Sequence, residues 1–351
     1  MGVRYCIFAF LVAFAVAFSP PAHLNFKDLL SGPHSFPAHN LQFYVSTSDW
    51  SLLDQIQVTL DGQTYLPLSK YIYQGGPNNA YNAPSGIAFQ QVADPNLASK
   101  PTWSVIIYIV QLDPDYNDIP NVEPDPYSND LNAFTSNYPL VILNPAFETN
   151  LGITINSIKV KSGTAVVQSV GDESTGEAKM LFTVTPDEAS QWVNTVVYGP
   201  IIRINGQGSA IISPSEGLQA SRNQQRPPKS RGIVMSSKYA IEQNIFRQDF
   251  TLEETGLGKN GKPFYSLEIR YADTTSGTLV IKGGDQSFTY SNQPDITNEN
   301  LSKIRSNKVT ISYTSTKLSS GFLIEYLADS GSASISALAT LLVSVVFVLF
   351  K

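Results

Sequence analysis

Residues 307–329 read NKVTISYTSTKLSSGFLIEYLAD, a stretch with the clearest periodicity in the chain. Val309, Ile311 and Tyr313 alternate with threonines and a serine, and Phe322, Ile324 and Tyr326 repeat the pattern after a polar interruption. An apolar period of two places one side of a strand on a core and leaves the other side in water, whereas a helix needs a period near 3.6. Upstream, FYSLEIRYAD at 264–273 puts Leu267, Ile269 and Tyr271 on one face and Ser266, Glu268 and Arg270 on the other. GTLVIKG at 277–283 and QSFTYSN at 286–292 add strand-length runs between them. A β-sandwich over residues 232–328 accounts for all of these segments.

The same signature runs through residues 18–213, read as an acidic all-β domain. Ile56, Val58 and Leu60 alternate, Asp61-Gly62 predicts a type I′ hairpin, and Tyr65, Leu66 and Leu68 lead the chain back. WSVIIYIVQL at 103–112 is apolar throughout, which predicts a strand covered on both faces. Only TPDEASQW at 185–192 predicts a helix, with Thr185 as cap and Pro186 at the first helical position. Between the two domains, residues 214–231 are polar, aperiodic and basic, as a linker would be.

Val309 to Tyr313, then a short loop, then Gly321-Phe322 and an alternating strand, resembles the last hairpin of a CUB domain, with residues 276–284 where that family has the strand before it. The resemblance implies an extracellular β-sandwich used for recognition rather than catalysis. This chain lacks the family's paired cysteines, so it would be a disulfide-free, CUB-like variant.

The two ends predict an address. Arg4 precedes an apolar run over residues 7–18, and Ala15-Val16-Ala17 fits the small-x-small cleavage pattern, so residues 1–17 read as a secretory signal peptide. At the other end, Asp329, Ser330 and Gly331 are followed by a spacer and an apolar tail over residues 338–350. That order matches a glycosylphosphatidylinositol (GPI) attachment signal over residues 329–351, with Ser330 the attachment residue and Asp329 and Gly331 its alternatives. A single membrane span is the competing reading, but the apolar stretch falls short of the roughly 20 residues a span needs. The expected location is the extracellular face of the plasma membrane.

Composition narrows the chemistry. The one cysteine is Cys6, within the signal segment, so the remainder of the chain must be held by apolar burial alone. His23, His34 and His39 are the only histidines, which leaves the body of the chain without the base of a Ser-His-Asp or Cys-His hydrolase. Residues 18–215 hold 17 acidic and 7 basic side chains, a balance of −10 that disfavours nucleic acid as a partner. No catalytic residue and no cofactor are therefore expected.

QLDPDYNDIPNVEPDPYSNDL at 111–131 concentrates carboxylates with no Lys or Arg between Lys100 and Lys159. Asp113, Asp115 and Asp118 are the candidate ligands for Ca2+, which takes six to eight oxygens, although the spacing is not that of an EF-hand. A solvated, proline-stiffened loop is the simpler reading. YIYQGGPNNAYNAPSG at 71–86 has the tyrosines and amides that can stack on and hydrogen-bond a glycan, and also the composition of a long turn. Asn300-Leu301-Ser302 is a glycosylation sequon. The sequence thus points to a GPI-anchored surface protein that recognises an extracellular protein or glycan. The alternatives are a surface glycoside hydrolase working with two carboxylates and a single-span protein of a structural coat.

Overall fold

The computed structural model describes residues 22–60, 62, 64–72, 80–91, 95–112, 121–124, 131–136, 138–171, 178–215, 223–226, 229–237, 239, 243–245, 247–254 and 264–329. The signal segment at 1–17 and the tail from Ser330 onward lie outside the described residues. Among those described, no helix is long and apolar enough to cross a membrane. The fold is all-β, and its contacts cluster into two units, Met1–Pro124 and Asp125–Lys351.

In the first unit the strands are β1 (Ala22–Asn25), β2 (His34–Phe36), β3 (Leu41–Thr47), β4 (Ile56–Thr59), β5 (Leu66–Pro67), β6 (Ala80–Ala83), β7 (Ile87–Gln91), β8 (Val105–Gln111) and β9 (Asn121–Glu123). Two sheets form, in the orders β1-β8-β3-β6 and β2-β7-β4-β5. Phe43 and Ile107 from one and Phe89 and Val58 from the other meet in a single core. Phe43 stacks on Tyr81 at 5.0 Å and meets Phe89 edge-on at 5.4 Å. As its unbroken apolar run requires, β8 is buried from Val105 to Val110.

Several local expectations change. Around Asp61-Gly62, β4 and β5 do pair, but Val58 faces Leu66, so the connection is longer than a two-residue turn. Two short α-helices, α1 (Phe26–Leu30) and α2 (Ser69–Ile72), were not anticipated. α1 is nucleated by a capping box in which Asn25 Oδ1 accepts from the Asp28 N–H and Asp28 Oδ2 accepts from the Asn25 N–H. Conversely, the helix expected at 185–192 shrinks to one 3-10 turn, Ala189–Gln191, because Trp192 must leave it to stack on Phe182 at 4.2 Å and bridge to Arg231. The tyrosine-rich stretch is not all loop either, since β6 lies within it and buries Tyr81.

The second unit begins with β10 (Leu131–Phe134), β11 (Leu140–Leu143), β12 (Ile153–Val170), β13 (Ala178–Val184), β14 (Val193–Val197) and β15 (Ile201–Pro214). Here the long β12 and β15 form the spine, in the order β13-β12-β15-β11, and β14 also pairs with β12. Residues 125–213, read from the sequence with the N-terminal domain, cluster with the C-terminal part. Within the stretch read as a linker, Asn223–Arg226 is a strand, β16, which pairs in parallel with β19.

The remaining strands are β17 (Arg231–Met235), β18 (Gln243–Asn244), β19 (Gln248–Glu254), β20 (Phe264–Ala272), β21 (Gly277–Gly283), β22 (Gln286–Ser291), β23 (Ile296–Ile304), β24 (Lys308–Ser315), β25 (Leu318–Ser319) and β26 (Phe322–Asp329). They build a sandwich from one sheet of order β16-β19-β24-β21-β22 and another of order β17-β26-β20-β23. Val309, Ile311 and Tyr313 meet Leu267, Ile269, Phe322 and Ile324 in its core. One expectation fails: β24 and β26 are not a hairpin but lie in opposite sheets. The chain is diverted between them when β25 pairs with β18 and Gly321 turns at φ 71°. Tyr271 also leaves the inward row, because the β20–β26 register shifts between Ile269 and Tyr271 and hands the buried position to Ala272.

Candidate functional site

Two sheets packed on a common core leave two outward faces, and in this sandwich they differ. The outer face of the β17-β26-β20-β23 sheet is crossed by ion pairs. Arg270 sits between two carboxylates, with Nη1 2.7 Å from Glu268 Oε1 and Nη2 2.7 Å from Glu325 Oε2. Arg231 reaches Glu325 at 3.5 Å and Glu188 at 3.1 Å, and its Nε donates to Gln191 Oε1 at 3.1 Å. Burial pushes the Glu268 carboxyl upward, against the pull of Arg270. Arg270 bridges Glu268 and Glu325, and Arg231 adds a second positive charge at Glu325, so this pair is organised as a structural network rather than as an acid and a base flanking a bond to be cleaved.

The outer face of the other sheet is open and lined with hydroxyls. β19, β24 and β21 turn Phe250, Leu252, Val309, Ile311, Leu279 and Ile281 inward, all nearly inaccessible. Their alternate residues face outward in register, Thr251 opposite Thr310 and Thr310 opposite Lys282. In the next row Asp249 faces Ser312 and Ser312 faces Val280, and beyond it Thr314 faces Thr278. Strand separation of about 4.8 Å, and about 6.8 Å between alternate residues along a strand, turns these rows into a grid of small polar groups. They line a concavity of about 500 Å³, bounded by Arg247 on one side and Lys282 on the other.

Asp249 is the fixed point of this face. Its Oδ1 accepts from Ser312 Oγ at 2.6 Å and its Oδ2 accepts from Arg247 Nε at 2.7 Å. Because Ser312 is only half-buried and Asp249 is exposed, both remain within reach of a ligand. A carboxylate is too weak a base to activate a serine hydroxyl without a histidine or lysine between them, so the arrangement can bind but lacks the parts of a nucleophile. A carboxylate, a guanidinium and a row of hydroxyls together offer donors and acceptors to a polar ligand.

Of the residues singled out from the sequence, Asp113, Asp115 and Asp118 lie outside the described residues, as do Ser330 and Gly331. Asp329 ends β26 opposite Phe264. Asn300 is exposed on β23. His34 Nε2 lies 2.7 Å from the Asp28 carbonyl and His39 Nδ1 3.3 Å from the Pro84 carbonyl, each engaged by backbone. Among the described residues no group of three or more His, Cys, Asp or Glu side chains could hold a metal ion. The hydroxyl grid was not anticipated as a site, although its signal was present in the outward threonines and serines of residues 308–315.

Comparison with known proteins gives distant likenesses only. No family model matches the chain, and no curated protein matches it. Among solved structures, the Ca2+-bound second CUB domain of MASP-1 is 13% identical, covering 28% of this chain and 95% of that one, with a TM-score of 0.23. A CUB1-EGF-CUB2 fragment of human MASP-1/3 is 9% identical over 90% of this chain and 96% of its own, again at 0.23. The insecticidal crystal protein Cry2Aa is 12% identical over 45% of this chain and 27% of its own, at 0.18. The likeness to CUB domains is weak and confined to fold, and says nothing of ligand or partner.

Proposed function

We propose that this chain is a non-catalytic recognition protein, held by a GPI anchor on the extracellular face of the plasma membrane, that binds an extracellular protein or glycan. The observation that carries the binding half is the hydroxyl-lined concavity over β19, β24 and β21, with Asp249 held in place by Ser312 and Arg247. The address half is supported by the order of segments at the two ends of the sequence, with Ser330, Asp329 or Gly331 as the attachment residue. Nucleic acid is not a partner in this reading, because the acidic residues of 18–215 would repel it. Ca2+ bound by Asp113, Asp115 and Asp118 belongs to the same proposal and rests on the sequence alone.

The test combines address with recognition. Phosphatidylinositol-specific phospholipase C should release the protein from intact cells, and the released protein should retain ligand from a panel of glycans and surface proteins. Ser312→Trp and Thr310→Trp, which fill the concavity from half-buried outward positions, should abolish that retention while leaving the folded spectrum unchanged. Retention on the cell after lipase treatment overturns the anchor, and binding undiminished in both variants overturns the face.

A further inference from the structure

β23 is the longest edge strand of the C-terminal sandwich, with nine residues against five in β17, four in β16 and six in β22. Among the described residues its ladder runs along β20 on one side only, and it is the last strand of its sheet. A long edge presents a row of unpaired N–H and C=O groups about 30 Å in extent, which is a template for pairing with another chain. At the opposite edge of the sheet, β17 is short and Trp192 bridges to Arg231. β23 contains no proline, the residue that most directly blocks added pairing. Its backbone departs from a regular strand at two places, Asn298 at φ 56° and a register shift against β20 where Ser302 and Lys303 together oppose Ser266.

The sequon occupies the middle of this strand. Asn300 is the fifth of the nine residues and lies opposite Glu268 of β20. Leu301 is buried in the core, while Asn300 and Ser302 on either side of it are exposed. With a side-chain period of two, the acceptor amide and the sequon hydroxyl share the outward face. We infer that Asn300 carries an N-linked glycan that guards the free edge of β23 and keeps the sandwich from pairing with a second copy of the chain. Rooted at the centre of the strand, a bulky, hydrated glycan obstructs every register in which a second strand could add along most of the edge. It adds to the local devices that already interrupt this edge, Asn298, the register shift at 302–303 and the charged Glu299 and Lys303 of the strand's sequence.

This inference rests on the secretory-route reading, because N-linked glycans are added to secreted surfaces. The full chain is expressed in eukaryotic cells, recovered from their surface in detergent, and compared with Asn300→Gln, Ser302→Ala and Ser302→Thr. The wild type and Ser302→Thr, which keeps the sequon, should lose the mass of one glycan on peptide-N-glycosidase treatment and sediment as monomers. Asn300→Gln and Ser302→Ala should lack that mass and shift to dimers as concentration rises. Enzymatic removal of the glycan from folded wild-type protein should do the same, which separates the effect from a failure to fold. Surface protein without the glycan overturns this inference alone. Loss of the glycan with unchanged sedimentation overturns the guarding role. A chain that never enters the secretory route overturns the address as well.

Discussion

Tyr313 shows how much one side chain fixes. Its ring is fully buried in the sandwich, and its hydroxyl donates to the Asp273 carbonyl at 2.6 Å while sharing a 2.6 Å hydrogen bond with the buried Ser319 Oγ. The hydroxyl is therefore the pin between β24, the turn at 273–276 and the end of β25. Gly277 passes so close that any β-carbon there would run into the Tyr313 hydroxyl, so small size is required at that position. Tyr313→Phe keeps the ring and deletes the pin. It should cost about 1–3 kcal/mol, because the carbonyl of Asp273 and the hydroxyl of Ser319 lose a partner where water cannot replace it. Equilibrium denaturation checks this, with a lower midpoint at unchanged slope as the expected outcome. A variant as stable as wild type would show that water reaches the pocket.

Among the elements, β17, β20 and β26 are joined on their outer face by Arg231, Arg270 and Glu325, whose side chains are 17%, 37% and 13% exposed. Both guanidiniums depend on the least exposed of the three. Glu325→Gln should destabilise by roughly 1–3 kcal/mol through two weakened ion pairs, Glu188 and Glu268 still holding one arginine each. A double-mutant cycle of Glu325→Gln with Arg270→Met should return a coupling well above the few tenths expected of independent sites. Elements were legible in the sequence to the extent that period-two alternation is a local code. Val309, Ile311, Phe322, Ile324 and Tyr326 are all inward and buried as their spacing predicts. Partnership is not local, and so β24 and β26, separated by only a few residues, could be read as a hairpin although they pair in different sheets. The bulge that turns Tyr271 out of the core depends on its register with β26, which the residues of β20 alone do not encode. For the same reason the threonines of the open face were visible while the site was not. Asp249 and Ser312 lie 63 residues apart and meet only once β19 has found β24.

Taken whole, the molecule divides into two units without a disulfide between any of the described residues, since the single cysteine is Cys6. Aromatic burial carries weight in both, and this ties stability to alkaline pH. In the first unit Tyr44 is pushed up to about 12, first by burial and then by neighbouring Tyr108. In the second, Tyr313 is pushed up to about 12, chiefly by burial, and Tyr239, Tyr271 and Tyr290 are also raised, each mainly by burial. A tyrosine in the unfolded chain ionises near 10.0. With the folded value above the unfolded one, the folded state holds its proton longer, so the stabilisation is complete below pH 10 and is lost as pH rises towards 12. Denaturation midpoints should therefore fall steeply above pH 10, and phenolate absorbance should develop together with unfolding. Lysines titrate in the same range, so the slope alone does not assign the effect. Tyr44→Phe and Tyr313→Phe do, because each removes one ionisation and should flatten the alkaline fall while lowering stability at neutral pH. Phenolate that appeared in full before any loss of structure would mean that these hydroxyls ionise in place, and that burial does not hold them neutral.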